Sequence, residues 1–282
     1  MNSTLKLIAA YFAMSGNLPM FFSGMFQTPT SNYHASEKVR LDVTRNGQDV
    51  AIVVQDLSVG YRYNGLDTFE TKEFTPPVFK EAFPVNSADL LKRIAGANPL
   101  AEPDIRANLI MEFFAGMKKV DGKVRRAIEL QASQVLQTGK VKLYDDKGND
   151  LYVLDYQPRA EHFPTAGTAW DQPGADPMGD LEALSETIRD NGLMDPDDIY
   201  FGKAAWAAFM GNEKIQKLLD IRNMSVGSLD RAQKRGNGAT YRGTIDIGAY
   251  TFNLWTYNGE YVGPQTKKLT NYLKPGNVVM RA

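Results

Sequence analysis

Residues 103–140, PDIRANLIMEFFAGMKKVDGKVRRAIELQASQVLQTGK, decide the architecture. Apolar side chains recur at Leu109, Phe113, Met117, Val120, Val124, Ile128, Ala132 and Val135, in steps of three and four. That spacing is the signature of one helical face. Pro103 suits a helix start and Gly139 a stop just past the last turn. At 1.5 Å per residue an unbroken helix here is roughly 50 Å long, a spine rather than an ordinary globular helix. Gly116 and Gly122 each cost about 1 kcal/mol relative to alanine. The alternative is therefore two helices broken at Asp121–Gly122.

Downstream of the spine, KVKLYDDKGNDLYVLDY (140–156) alternates Val141 and Leu143 on one arm, Leu151 and Val153 on the other, as a hairpin does. Its acidic cluster Asp145, Asp146 and Asp150 lacks the spacing, central glycine and closing glutamate of a calcium loop, so turn chemistry accounts for it. The stretch 165–177 carries Gly167, Pro173, Gly174 and Pro177 and reads as a boundary. Beyond it the pattern is α/β: a helix over 180–191, the strand DIYFG, the helix KAAWAAFMGNEKIQKLLDI, then strands TIDIGAY, TFNLWTYNGEYVG and NVVMR, with a hairpin signal at Asn258–Gly259.

Upstream, VRLDVTRNGQDVAIVV (39–54) and LSVGYRYNGLDTF (57–69) read as strands around Asn46–Gly47 and Asn64–Gly65. They form a long excursion with little core of its own. It ends in KEFTPPVFKEAFPVNSADLLKRI (72–94), where Pro76 and Pro77 fix φ, remove two donors and keep the chain extended. Of its phenylalanines, Phe83 is expected to pack inside its own subunit and Phe74 to touch a neighbour. The N-terminus, MNSTLKLIAAYFAMSGNLPMFF, has one positive charge, a short apolar run and no clean cleavage site. It reads as an apolar arm whose Leu18, Met20, Phe21, Phe22, Met25 and Phe26 need burial, either on another copy or in the chain's own core.

Composition narrows the function classes. The chain has 282 residues, 43% hydrophobic, with net charge −1, so no global field selects a polyanion. It has no cysteine, which excludes disulfides, thiolate metal sites and cysteine nucleophiles. Its two histidines, His34 and His162, lie in polar, loop-like contexts. No Walker loop, GxGxxG, GxSxG or HExxH is present. No cofactor is implied. The basic loop Arg231, Lys234, Arg235 and Arg242, with Tyr241 beside it, reads as a solvated loop or a subunit contact before it reads as a nucleic-acid groove.

Several stretches together resemble one family. EFTPPVFKEAFPVN (73–86), IELQASQVLQTGKVKL (128–143), GKAAWAAFMGNEKIQKLLDIRNMSVGSL (202–229), YRGTIDIGAYTFNLWTYNGEYV (241–262) and YLKPGNVVM (272–280) follow, in order, segments of the lambda-type major capsid (head) protein of tailed bacteriophages and prophages. The resemblance runs from about Leu18 to Met280. It implies an α+β chain with the tailed-phage, Hong Kong phage-like capsid fold: an N-terminal arm (1–32), an extended E-loop with flanking strands (33–85), a peripheral domain with the spine helix and a β-sheet (86–165), and an α/β axial domain (166–282). It implies a non-enzymatic structural subunit that self-assembles through pentamers and hexamers into an icosahedral head enclosing DNA. The implied interface residues are Leu18, Phe21, Phe22, Tyr61, Tyr63, Asn64, Gly65, Phe69, Phe74, Arg231, Lys234 and Arg235. The implied partners are copies of itself, scaffolding protein, portal, head maturation protease, decoration protein and non-specifically packaged DNA, with no membrane. The location implied is the virion, with synthesis in the host cytoplasm. The family's chains continue beyond a segment like YLKPGNVVMRA, so the axial domain is expected to be incomplete at its C-terminal end. Another phage ring or tube protein, and a hydrolase relying on His34 or His162, stay open as alternatives.

Overall fold

A computed structural model of the chain describes residues 8, 11, 20–26, 38–44, 69–74, 78–84, 105–144, 149–220, 227–228, 233–234, 238–264 and 266–282. Packing divides the chain into two units, Met1–Phe26 with Glu81–Ala282, and Gln27–Lys80. The division expected at 165–177 thus falls inside the first unit.

In the second unit, β1 (Val39–Thr44) pairs antiparallel with β2 (Phe69–Phe74), from Val39 opposite Phe74 to Thr44 opposite Phe69. The turns expected at Asn46–Gly47 and Asn64–Gly65 lie outside the described residues.

The first unit contains the spine, α1 (Ile105–Thr138), one unbroken helix of 34 residues. Its two glycines do not break it, and Gly116 lets a side chain close onto the helix. A Cβ on Gly116 would lie 2.4 Å from the Phe83 ring, so Phe83 rests directly on the helix backbone and also meets Phe113 edge-on at 5.9 Å. Phe83 is therefore packed inside its own chain, as expected. Gly139 takes φ +64 and donates its N–H to the carbonyl of Val135, ending the helix in the left-handed cap that glycine favours. The buried face, however, is rotated from the expected stripe. Ile128 is 45% exposed, while Gly122, Glu129, Ala132 and Ser133 are buried. Small residues there let neighbouring backbone approach closely, and the carboxylate answers a need described below.

After α1 come the hairpin β3 (Lys140–Tyr144) and β4 (Asp150–Asp155), a 3-10 turn (Ala160–His162) and α2 (Pro177–Gly192). Then follow β5 (Asp198–Phe201), α3 (Lys203–Gly211), α4 (Glu213–Asp220), β6 (Gly227–Ser228), β7 (Gln233–Lys234), β8 (Ala239–Ile247), β9 (Tyr250–Tyr257), β10 (Glu260–Val262), β11 (Leu269–Asn271) and β12 (Val278–Arg281). The main sheet runs β12-β5-β9-β8-β6, with β7 also on β8; β5 and β9 are parallel and the other pairs antiparallel.

Both faces of this sheet are covered. On one, Ile199, Phe201, Ile245, Phe252 and Leu254 pack with Leu181 of α2, Ala205 and Phe209 of α3 and Ile215 of α4. On the other, Tyr200, Ala239, Tyr257 and Val279 pack with Phe22, Ala132 of α1, Tyr272 and Leu273. Two-sided burial explains why β5 reads as a continuous apolar run rather than an alternation.

Two local expectations are corrected. The single helix expected over 203–221 is two helices, because Asn212 leaves the helical region (φ −74, ψ 130), accepts the Lys214 N–H on its Oδ1 at 3.0 Å and donates to the Ala175 carbonyl at 3.2 Å. It starts α4 as an N-cap residue does. Asn258–Gly259 is not a hairpin turn: β9 has β8 and β5 as neighbours, and β10 turns away to pair with β11. The tight hairpin turn lies at Gly248 (φ +60), between β8 and β9.

Candidate functional site

The side chains with the most demanding environment surround Glu129, which is fully buried on α1. Its carboxylate accepts the backbone N–H groups of Phe21 (3.3 Å), Phe22 (2.8 Å) and Ser23 (2.9 Å) and the hydroxyl of Tyr257 (2.8 Å). The three amides begin the short 3-10 turn Ser23–Met25, which has no side-chain cap of its own. A buried acceptor with two oxygens satisfies donors that would otherwise be stranded. Phe22 then inserts its ring edge-on against Tyr257 at 4.6 Å and Tyr200 at 6.1 Å, and Phe21 stacks on Tyr257 at 5.0 Å. Residues 20–26 are thus fastened to the spine and the sheet of their own chain.

A second fastening lies one turn along α1. Ser133 Oγ donates to the Tyr272 carbonyl at 2.5 Å, and Gln137 Nε2 donates to the same oxygen at 2.8 Å. Gln137 Oε1 accepts the Lys274 N–H at 3.0 Å and the Asn277 amide at 3.1 Å. The spine therefore holds residues 20–26 and 272–277 on neighbouring turns.

The tyrosines of this region remain protonated donors well above neutrality. Burial, then the Glu129 charge, raises Tyr257 far above the ordinary tyrosine range. Burial and then Asp198 raise Tyr200. Tyr272 is pushed up to about 12, by burial first and Glu129 second, with Arg126 acting against them. A folded-state value above the unfolded value of 10.0 means that the stabilisation is complete below pH 10 and lost as pH rises from there through about 12. We expect the urea midpoint to fall over that window, and the tyrosinate absorbance contributed by Tyr200, Tyr257 and Tyr272 to appear with unfolding rather than before it.

The expected contact residues separate into three groups. Leu18, Tyr61, Tyr63, Asn64, Gly65, Arg231 and Arg235 lie outside the described residues. Phe69 and Phe74 are the two ends of β2, and Lys234 lies in β7 opposite Thr240. Phe21 is half-buried and Phe22 has 0% exposure, so Phe22 is a core residue of its own chain and presents no surface to a neighbour. Of the arm residues that need burial, Phe22 finds it in its own chain, whereas Phe26 stays 46% exposed. The aromatic and basic residues next to the basic loop are likewise engaged internally. Arg242 lies 5.6 Å over the Trp206 ring with its Nε on Thr256, and Tyr241 packs at 5.0 Å from Trp255. His162 sits exposed on its 3-10 turn, at a groove of about 1000 Å³ bounded by α2, α3 and β12; His34 lies outside the described residues.

Large apolar side chains remain in solvent on several elements: Met111 and Ile128 on α1, Leu151 and Val153 on β4, Val262 and Leu269 on β10 and β11, and Val78 and Phe79 in the second unit. Leu151 with Val153 on β4 is a pair of exposed apolar side chains two residues apart on one strand. Among the described residues no helix is long and apolar enough to cross a membrane.

The chain is 28% identical over 217 residues to the major capsid protein of Enterobacteria phage phi80, an alignment covering 74% of this chain and 60% of that protein. This chain therefore spans about three-fifths of that relative's length. Among solved structures, a capsid protein of an E. coli CFT073 prophage superposes with a TM-score of 0.49 at 17% identity, over 67% of this chain and 53% of that one. A phage-related protein of Bordetella bronchiseptica RB50 gives a TM-score of 0.37 at 14% identity, over 60% and 45%. The model of the family phage major capsid protein E matches residues 4–282. With almost every residue inside that match, the chain belongs to the phage major capsid protein E family.

Proposed function

We propose that this chain is the major subunit of a tailed-phage head, assembling with copies of itself through pentamers and hexamers into the icosahedral shell that encloses the genome. The observation that carries the proposal is the family match over residues 4–282. The mixed α/β fold and the exposed apolar side chains support it. At about 25 cal/mol per Å² of apolar area, such surface favours association, and a repeated heterologous contact closes into rings.

In this reading the chain has the Hong Kong phage-like capsid fold. Residues 1–32 are the arm, 33–85 the E-loop with its flanking strands, 86–165 the peripheral domain with the spine, and 166–282 the axial domain. The antiparallel pairing of β1 with β2 supports a long excursion between them. Tyr61, Tyr63, Asn64, Gly65, Phe69 and Phe74 are its contact residues, joined by Leu18 and Phe21 of the arm and by Arg231, Lys234 and Arg235 of the axial loop. Scaffolding protein, portal, maturation protease and decoration protein are its further partners, and it resides in the virion. DNA meets the inner surface through weak, salt-sensitive contacts without sequence preference.

Electron microscopy of the overexpressed, purified protein tests this. Capsomers or closed shells, alone or with scaffold, are the expected result. Tubes or stacked rings would reassign the chain to another phage structural role, and a strictly monomeric protein at high concentration would overturn the proposal.

A further inference from the structure

The chain contains five Asn–Gly pairs, and two of them, Asn191–Gly192 and Asn258–Gly259, lie wholly among the described residues. Asparagine before glycine is chemically labile. The glycine nitrogen can attack the asparagine side-chain carbonyl, because no side chain on the glycine stands in the way. The reaction needs a free side-chain amide and a backbone N–H that is not engaged in another bond. The two pairs differ on both counts. Asn191 Nδ2 donates to Glu161 Oε1 and to the Thr187 carbonyl, each at 3.0 Å, and its Oδ1 accepts from Arg159. Gly192 is the last residue of α2, so its N–H belongs to the helix ladder. Asn258, by contrast, is exposed, and among the described residues its side chain has no hydrogen-bond partner. The Gly259 N–H, between β9 and β10, has none among them either. Gly238 (φ +84) leaves room beside that nitrogen, since a Cβ there would lie 3.3 Å from it. Residue 259 is held to glycine by packing: an added Cβ would strike the Tyr257 hydroxyl, which Glu129 keeps in place.

We propose that Asn258 is a site of spontaneous modification, which converts to isoaspartate and in doing so loosens the β10–β11 ribbon. The inference does not rest on the capsid reading. The Gly259 nitrogen forms a bond to Asn258 Cγ, the Cγ–Nδ2 bond breaks, and ammonia leaves with the proton from the attacking nitrogen. Water then opens the five-membered imide. Opening at one carbonyl gives aspartate. Opening at the other leaves the main chain running through Cβ and Cγ, one carbon longer, with a free α-carboxylate. No electrons are exchanged, and water is the only co-reactant. The added carbon falls between two fixed points. The Asn258 N–H donates to the Gly238 carbonyl at 3.1 Å, and the Gly259 carbonyl accepts the Tyr272 N–H at 3.0 Å. A backbone lengthened by one bond between them cannot keep both in place. β10 begins at the next residue, and its Tyr261 stacks on Tyr272 at 4.9 Å. Tyr272 is in turn part of the layer that covers Phe22, so the change reaches the core of this face.

The test is peptide mapping by mass spectrometry. Folded protein is kept in mildly alkaline buffer, where the attacking nitrogen gives up its proton more readily, and digested at intervals. The Asn258 peptide is expected to yield two isomeric products, each heavier by the difference between water and ammonia, several-fold faster than the Asn191 peptide. In urea the two pairs should convert at similar rates, because only the bare dipeptide then decides. Hydrogen exchange in β10 and β11 should quicken in the aged protein and not in Asn258→Ser, which removes the labile amide without disturbing a side-chain contact. Equal rates at the two pairs in the folded protein, or no conversion at Asn258 while the urea sample reacts, would overturn the site. Conversion that leaves exchange in β10 and β11 unchanged would overturn its effect on the ribbon.

Discussion

Replacing Glu129 by alanine is expected to produce one of the largest losses of stability available to a single substitution in this chain. The change removes the acceptor for the N–H groups of Phe21, Phe22 and Ser23 and for the Tyr257 hydroxyl, within a fully buried site. Truncating one side of a buried, hydrogen-bonded charge costs about 3–5 kcal/mol, because the remaining groups stay desolvated and unpaired. Domains are stable by only about 5–15 kcal/mol, so this is a large fraction of the total. The urea midpoint should fall sharply, and limited proteolysis should cut within residues 20–26 before it cuts the sheet. Glu129→Gln should also lose ground, since its amide group would turn a donor toward donors. Tyr257→Phe, which removes one bond and keeps the ring that holds Phe22, should cost only about 1 kcal/mol. An unchanged midpoint in Glu129→Ala would show that residues 20–26 are held by something else.

Gly202→Ala is the second. Gly202 has φ −71 and ψ 162, a conformation open to any residue, so its cost is steric. An added Cβ would lie 2.3 Å from the Lys274 carbonyl and 2.6 Å from the Pro275 carbonyl, both backbone atoms that cannot rotate aside. The Pro275 carbonyl accepts the N–H groups of Ala204 and Ala205, each at 2.9 Å, and so caps α3. The Asn277 carbonyl accepts the Gly202 N–H, also at 2.9 Å, and continues the pairing of β12 with β5. Pushing residues 274–277 away therefore removes a cap and loosens an edge strand together. We expect a loss of about 3–5 kcal/mol, from overpacking plus stranded helix donors. Gly211→Ala, at the far end of the same helix with nothing within 4 Å, is the matched control. It should be neutral or stabilising by up to about 1 kcal/mol. If both variants unfold alike, close backbone approach is not what keeps Gly202 a glycine.

Much of the fold was legible in local patterns, and the contrast between α1 and its buried residues shows where legibility stops. Period and glycine placement gave the spine and its end at Gly139, because those signals act within a few residues. The face of the spine that is buried was not legible. Glu129 looks like any acidic residue on an amphipathic helix, and its purpose depends on amides 106 to 108 positions away in sequence. Asn212 was readable and misread: asparagine after glycine is a cap signal, overridden by the helical run on either side. Asn258–Gly259 has the composition of a hairpin turn, but β9 already has strands on both sides. Phe22 illustrates the general difficulty. An apolar arm residue needs burial, and composition alone does not say whether its own chain or another provides it.

The fastening of residues 20–26 also sets an order of events in biosynthesis. Phe22 is made early, but the wall it packs against is completed by Tyr200, Tyr257, Tyr272 and Val279. The contacts that close this layer span 107, 128 and 139 positions of chain. Pairings so distant make folding slow and keep nascent apolar segments uncovered while translation proceeds. Since β12 must pair with β5 before the layer closes, no nascent chain that ends short of Val278 can complete it. Until then Phe21 and Phe22 lack the wall that covers them and are ligands for whatever chaperone the ribosome's surroundings provide.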